Sequence, residues 1–263
     1  MKILFIGDIV GKIGRQAIAK VLPGLKKEYQ SDLVIANVEN LAHGSGVTKE
    51  TLEEMIESGV DFFTSGNHIW KKKEAVQIFE EGKFPIIRPA NYPPQVPGDG
   101  YRVIEVGSRK VLIINLIGRV FMKDDFNCPF LELDEILKKV AKKNIDIIFV
   151  DFHAEATSET KAMGFYADGK VSAVFGTHTH IQTADEEILE KGSAYITDVG
   201  MVGAKDSILG VAKEGIIKSF LSQMPAKHDI PESGQCIVNA VYFEVDNNGQ
   251  AIKIERINKE TRN

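Results

Sequence analysis

Carboxylate, amide and imidazole side chains recur where the short apolar runs of this sequence end. Lys2–Gly7 leads into Asp8, and Leu33–Val38 leads into Glu39 and Asn40. Phe62–Ser65 is followed by Gly66-Asn67-His68, and Ile145–Phe152 by His153. Val171–Phe175 runs into Gly176-Thr177-His178-Thr179-His180. Five of the six histidines lie on these loops, His43 among them, and only His228 falls clearly elsewhere. Singly, each has an ordinary reading: an Asp after a strand caps or turns, Gly-Asn-His is a turn, and His-x-His can be two solvated rings. Joint occurrence at equivalent strand ends is what points to a site. Oxygen and nitrogen donors without thiolate suit Mn²⁺, Fe or catalytic Zn²⁺ more than a structural zinc. Side chains at i and i+2 of a strand share a face, so an extended backbone would aim His178 and His180 into one site.

For those donors to meet, the apolar runs must lie side by side. Between them the sequence has helical patterns: Arg15–Tyr29, expected to kink or break near Pro23-Gly24, Lys49–Ser58 and Lys73–Glu81. Thr48 is placed to cap the second, with Glu50 in its first turn where the helix dipole favours an acid. Alternation of helices with fully apolar strands implies a parallel sheet covered on its faces, with ligands outside the carboxyl ends of the strands.

The middle changes character. Tyr101–Val106 and Val111–Leu116 read as a hairpin through Gly107-Ser108-Arg109-Lys110, and Phe121–Leu133 as a flexible excursion over one edge. Helices are expected at Asp134–Lys143, near Glu159–Phe165 and at Lys213–Gln223, with a strand at Ala194–Thr197. Gln223–Glu232 reads as a surface loop, and a final hairpin, Ile237–Val245 and Ala251–Arg256, turns at Asn247-Asn248-Gly249. No repeat or Pro/Gly/Ser-rich linker divides the chain, so residues 1–263 are read as a single domain.

Composition narrows the function classes. With 43% hydrophobic and 26% charged residues, 263 residues can bury a large core. A formal charge of -5 and the brevity of Lys71-Lys72-Lys73 and Lys138-Lys139 argue against a duplex-DNA binder, which would carry a basic stripe. Cys128 and Cys236 have no metal-type spacing and read as free thiols in a reducing compartment. No apolar stretch approaches the roughly 20 residues of a membrane span, and Asp8 interrupts the N-terminal run. A cytoplasmic protein is expected.

Gly7, Gly11 and Gly14 follow a strand and precede a helix, which invites a dinucleotide-binding reading. Their spacing is Gly-x-x-x-Gly-x-x-Gly instead of Gly-x-Gly-x-x-Gly, and no Gly-Lys-Ser/Thr follows. That reading is set aside.

Six stretches together resemble the calcineurin-like metallophosphoesterases, and within them the bacterial YmdB-like phosphodiesterase branch. They are Gly7-Asp8-Ile9-Val10-Gly11, Asn37-Val38-Glu39-Asn40, Gly66-Asn67-His68, Asp151–Thr157, Gly176–His180 and Thr197–Met201. The broad superfamily has Gly-Asp-x-His in its first motif and a bridging aspartate in its second. Here those positions hold Val10 and Glu39, as they do in the YmdB-like branch.

The resemblance implies a layered α/β sandwich, two packed mixed sheets flanked by helices. It implies two metal ions, iron as the family expectation and Mn²⁺ as the alternative. Asp8, Glu39, Asn40 and His180 would hold one ion, and Glu39, Asn67, His153 and His178 the other. His68 would donate a proton to the leaving alkoxide; a further metal ligand is its other reading. The implied substrates are 2′,3′-cyclic nucleotides, opened at the 2′ bond to leave a 3′-phosphate.

Further candidates are His43, Gly203 and Ser207 for substrate, and Asp198 as a carboxylate orienting a ligand histidine or closing an Asx-turn. A homo-oligomer and an RNA-related partner are compatible expectations. The competing functions are a general phosphomonoesterase and a regulatory module that binds a cyclic nucleotide or an RNA end.

Overall fold

A computed structural model describes residues 1–262, which form thirteen strands in two mixed sheets and six α-helices. The chain begins the first sheet with β1 (Lys2–Ile6), β2 (Asp8–Ile9), β3 (Leu33–Asn37) and β4 (Phe62–Thr64). Helices α1 (Gly11–Tyr29) and α2 (Lys49–Glu57) link these strands, and α3 (Glu74–Glu81) follows β4. It then builds the second sheet with β5 (Tyr101–Val106), β6 (Arg109–Ile117), α4 (Pro129–Val140), β7 (Ile147–His153), α5 (Thr157–Ala167) and β8 (Ala173–Thr177). Short β9 (Glu187–Ile188) and β10 (Ala194–Ile196) complete that sheet. β11 (Met201–Ala204), α6 (Lys213–Ser222), β12 (Gln235–Val245) and β13 (Ala251–Arg262) return to the first.

The sheet orders are β2-β11-β12-β1-β3-β4, with β13 also on β12, and β5-β6-β7-β8-β10-β9. β1, β3 and β4 run parallel, as do β6, β7, β8 and β10. Each sheet is buried on both faces, which is why its central strands are apolar without alternation. In β1, Ile3 and Phe5 point between the sheets, while Leu4 and Ile6 pack under α1 with Ile13, Ala17 and Leu22. On the far side, α4 and α5 cover the second sheet through Leu133, Ile136 and Met163.

Aromatic rings fill the space between the sheets. Phe149 lies 4.8 Å from Phe5, 5.5 Å from Phe175 and 5.9 Å from Phe243, centroid to centroid. The layered arrangement expected from the sequence is the one observed.

Several boundaries differ from the sequence reading. Helix α1 starts at Gly11 and continues through Pro23 without a break. Pro23 sits on the exposed side, while Ile13, Ala17, Ile18, Leu22 and Leu25 keep an unbroken buried stripe. One lost hydrogen bond on the wet side does not outweigh that stripe. The glycines that suggested a nucleotide fingerprint serve packing: a Cβ on Gly7 would lie 1.9 Å from the Gly200 carbonyl oxygen, and one on Gly14 2.4 Å from that of Val202.

The middle excursion is shorter and better anchored than its lack of period suggests. Pro129 opens α4 at the first helical position, where its missing N–H costs nothing. Asn127 N–H donates to the Asn91 carbonyl at 3.0 Å, Asn91 Nδ2 donates back at 2.9 Å, and Phe126 is buried 4.9 Å from the Tyr92 ring. Strands β2, β9 and β11 are two to four residues long, too short for a readable period. Cys236 is buried, its thiol donating to the Ile13 carbonyl at 3.9 Å, and Cys128 is half-buried, as expected. No helix among the described residues is long and apolar enough to cross a membrane.

Truncating the ring that joins the two sheets tests this core. Phe149→Ala should lower unfolding stability by about 3–5 kcal/mol, read as a lower urea midpoint at unchanged slope. An unchanged midpoint would mean the rings do not hold the sheets together.

Candidate metal centre

Strands β2, β3, β4, β7 and β8 deliver their donors to one rim where the two sheets meet. Glu39 is the hub, 1% exposed, and its two oxygens face different groups. Oε1 accepts from Asn40 Nδ2 at 3.1 Å and lies 3.2 Å from His68 Nδ1. Oε2 accepts the His68 backbone N–H at 2.8 Å and lies 3.4 Å from His153 Nε2.

On the first side, Asn40 Nδ2 is 3.2 Å from His180 Nε2, which is 3.9 Å from Asp8 Oδ1. On the second, His153 Nε2 is 3.1 Å from both Asn67 Oδ1 and His178 Nδ1. Ligand atoms of Glu39, His153 and His178 all lie within 4.8 Å of one another. The structure therefore brings Asp8, Glu39, Asn40, Asn67, His68, His153, His178 and His180 together.

The hydrogen-bond partners fix how each ring is turned. The Leu209 carbonyl can only accept, so the His180 Nδ1 at 2.9 Å carries hydrogen and Nε2 presents a lone pair inward. Thr177 donates its hydroxyl hydrogen to Asp151 Oδ1 at 2.7 Å, so its oxygen accepts from His153 Nδ1 at 2.9 Å. His153 Nε2 meanwhile faces three acceptors: Glu39 Oε2, Asn67 Oδ1 and His178 Nδ1. Both of its nitrogens then bear hydrogen.

The electrostatics agree. Burial opposes charge on His153, but Glu39 and Asp8 overcome it and lift the ring to about 9. Burial and the neighbouring His153 push His178 down to about 3. Burial alone would raise Glu39, yet His153 and His68 hold it well below the usual carboxylate range. Asp8 is raised by burial, against the pull of His180 and His153.

A cation suits this arrangement. Several acceptors crowd one proton on His153, and Asp8 Oδ1 is buried with no partner. A metal ion bound there would take the place of that proton, so binding and deprotonation are linked. The donor set, oxygen and imidazole nitrogen without thiolate, fits Mn²⁺, Fe or Zn²⁺.

A family model described as YmdB-like protein matches residues 4–257. The chain belongs to the YmdB-like family. A Bacillus subtilis (strain 168) protein named 2′,3′-cyclic-nucleotide 2′-phosphodiesterase is 46% identical over 260 residues, covering 98% of this chain and 96% of its own. A Mycoplasma pneumoniae protein named putative phosphatase/phosphodiesterase is 40% identical over 264 residues, covering 98% and 92%. A solved structure of a hypothetical protein from Thermus thermophilus has a TM-score of 0.92 at 39% identity, covering 99% of both chains. A putative 5′-nucleotidase from Staphylococcus aureus shares the fold alone, with a TM-score of 0.63 at 16% identity over 98% of this chain and 54% of that one.

Within this YmdB-like chain, the His-x-His geometry differs from the sequence expectation. β8 ends at Thr177, and His178 and His180 have φ of 109° and 64°. They reach one site through two left-handed kinks and not by strand alternation. For Asp198 the second of its two expected readings holds: it accepts backbone N–H groups from Thr179 at 2.9 Å and Gly200 at 2.7 Å. It therefore closes an Asx-turn and holds the histidine loop by its backbone; no imidazole is turned by it.

Ser207 donates to the Ala204 carbonyl at 2.6 Å and accepts from Gly210 N–H at 3.0 Å. Its hydroxyl thus shapes the loop whose Leu209 carbonyl orients His180. Gly203 is buried in β11 opposite Ile237 of β12, so its backbone belongs to the sheet. His43 is exposed on its loop with φ 57°. Sequence reasoning gave no role to Asn37, Asp151 and Thr177, though they lie in the matching stretches, and did not name Asn115; all four are 0% exposed beneath the rim.

Close approach at the centre also requires a glycine. A Cβ on Gly66 would lie 2.3 Å from His153 Nε2 and 2.4 Å from Glu39 Oε2. Gly66→Ala should stay folded by circular dichroism yet lose bound metal, measured by elemental analysis. Wild-type metal content in that variant would contradict the packing described.

Proposed function

We propose that the chain is a phosphodiesterase that hydrolyses 2′,3′-cyclic nucleotides at the 2′ bond, leaving the 3′-phosphate. What carries this reading is Glu39, whose two oxygens face two donor groups, in a chain 46% identical to a relative named for that activity. Asp8, Glu39, Asn40 and His180 would hold one cation; Glu39, Asn67, His153 and His178 would hold the second. Iron is the first choice and Mn²⁺ the second. Bound there, the two ions would supply Lewis acidity that polarises the phosphoryl group and acidifies a water.

The chain's own residues do the rest. Glu39, fixed by the His68 backbone N–H and by Asn40, keeps the two donor groups in register. His68 has its Nδ1 2.8 Å from Asn40 Oδ1 and 3.2 Å from Glu39 Oε1, both acceptors. Nδ1 therefore keeps its hydrogen, and Nε2 is the nitrogen free to face substrate; the side chain is 37% exposed. As the oxygen of the acidified water bonds to phosphorus and the phosphorus–2′-oxygen bond breaks, Nε2 gives its proton to the departing alkoxide. The ring is left neutral with hydrogen on Nδ1, still held by Glu39 and Asn40.

A phosphatase reading draws support from the name of the Mycoplasma pneumoniae relative. A substrate panel separates the two. Metal-loaded protein should turn 2′,3′-cyclic AMP into the 3′-phosphate, the isomer being identified by chromatography, and a chelated sample should not. Preference for phosphomonoesters, or release of the 2′-phosphate, would overturn the assignment. His68→Ala should keep both ions and lose turnover by roughly 10²–10⁴-fold. Loss of an ion in that variant would make His68 a ligand instead.

A further inference from the structure

One carboxylate outside the proposed ligand set reaches a member of it. Glu155 lies two residues beyond the end of β7, and its Oε2 is 2.9 Å from His178 Nε2. It sits between buried Ala154 and Ala156, and the Ala154 N–H donates to the Thr177 carbonyl at 3.1 Å. The loop bearing Glu155 is thus tied to the end of the very strand that leads into His178.

An ionised carboxylate only accepts, so Nε2 of His178 carries the hydrogen. Nδ1 then presents a lone pair toward His153 Nε2, 3.1 Å away. The remaining contact on His178 is its backbone N–H, which donates to Asp8 Oδ2 at 3.1 Å. All three imidazoles of the proposed ligand set are therefore fixed at the nitrogen that faces away from the centre. Thr177 fixes His153, the Leu209 carbonyl fixes His180, and Glu155 fixes His178. Glu155 alone does so with a full charge, and from a half-exposed position, 49% accessible.

We propose that Glu155 is a positioning residue that holds His178 in the Nε2–H tautomer, its Nδ1 aimed at the Glu39–His153 centre, and thereby sets the affinity of the second metal position. An imidazole lacking an outer acceptor divides between its two tautomers and can turn over, so part of its population points hydrogen at the ion. The carboxylate also makes the ring a stronger donor. Such outer partners typically change metal affinity by about 10–100-fold. Because Glu155 is half-exposed, its removal should leave the fold intact. The inference rests on the two-cation reading above.

The test compares Glu155→Ala and Glu155→Gln with the wild-type protein. Mn²⁺ titration calorimetry should show Glu155→Ala weaker by about 10–100-fold at one of two positions. Glu155→Gln, whose side-chain carbonyl still accepts from Nε2–H, should stay close to wild type. Nitrogen-15 NMR of the metal-free proteins should show the His178 Nε2–H held against exchange with water in wild type and Glu155→Gln, and exchanging fast in Glu155→Ala. Melting temperatures should match throughout. Wild-type Mn²⁺ affinity in Glu155→Ala, or an unchanged exchange rate of the His178 Nε2–H, overturns the proposal. If the wild-type protein binds no Mn²⁺, the two-cation reading fails instead, and the metal-free NMR comparison still decides what Glu155 does.

Discussion

A fully buried carboxylate bonded across the gap between the sheets sets the geometry of everything at the rim. Asp151 of β7 accepts from Asn37 Nδ2 of β3 at 3.0 Å and from the Thr177 hydroxyl of β8 at 2.7 Å. Asn37 belongs to the first sheet, Asp151 and Thr177 to the second. The Asn37 side-chain oxygen, Oδ1, then accepts the Glu39 N–H at 3.2 Å, and the Thr177 oxygen accepts from His153. A second crossing runs beside it, where Asn115 of β6 accepts the Ser65 N–H at 3.0 Å. The rings of Phe5, Phe149, Phe175 and Phe243 press the sheets together, but burial is non-directional and would tolerate a slip. Hydrogen bonds that must all be satisfied would not, since each orphaned buried group costs about 1–3 kcal/mol. Burial raises Asp151 itself to about 6, against the pull of His153 and its own donors.

Strain at the other end of the centre is held in the same way. A left-handed backbone at a non-glycine residue costs on the order of 1–3 kcal/mol and persists only where its surroundings over-determine it. For His178 and His180 those surroundings can be named. Asp8 takes the His178 N–H, Asp198 takes those of Thr179 and Gly200, and Leu209 takes the His180 ring hydrogen. Asp198, raised by burial to about 7, therefore contributes through the backbone. This is why two histidines whose backbone has left the strand still converge.

How much of this could be read in advance follows from the same physics. The strand ends were legible because buried parallel strands are continuously apolar, so a donor just beyond one stands out. The supporting layer was legible too, in a pattern that was not used. Along β3, Leu33 and Ile35 face the other sheet and Asn37 follows; along β6, Val111 and Ile113 precede Asn115. β7 has Ile147 and Phe149 before Asp151, and β8 has Ala173 and Phe175 before Thr177. Four strands thus turn from apolar to polar on one face, two residues at a time, as they near the rim. What was not legible depends on partners distant in sequence. Pro23 is tolerated because of where the buried stripe of α1 lies, β2 is a strand only because it pairs with β11, itself held by β12, and the Leu209 carbonyl meets His180 from 29 residues away.

Charge at the centre bears on what would suit it. Asp8 and Glu39 are buried there, Glu155 stands at its mouth, and Asp151 and Asp198 lie just beneath. Among the described residues, no Lys or Arg side chain is hydrogen-bonded to any of the eight rim donors. A phosphodiester carries its own negative charge. Unit charges roughly 4 Å apart repel by about 4 kcal/mol at an effective dielectric near 20, so an anion entering this cluster would be opposed by each carboxylate it met. One proton on His153 offsets only part of that. Two divalent cations would reverse the sign of the field and satisfy Asp8 Oδ1 at the same time. On that account the acidic cluster, unsuited to a phosphate by itself, would make the rim a receptor for ions that would in turn receive one.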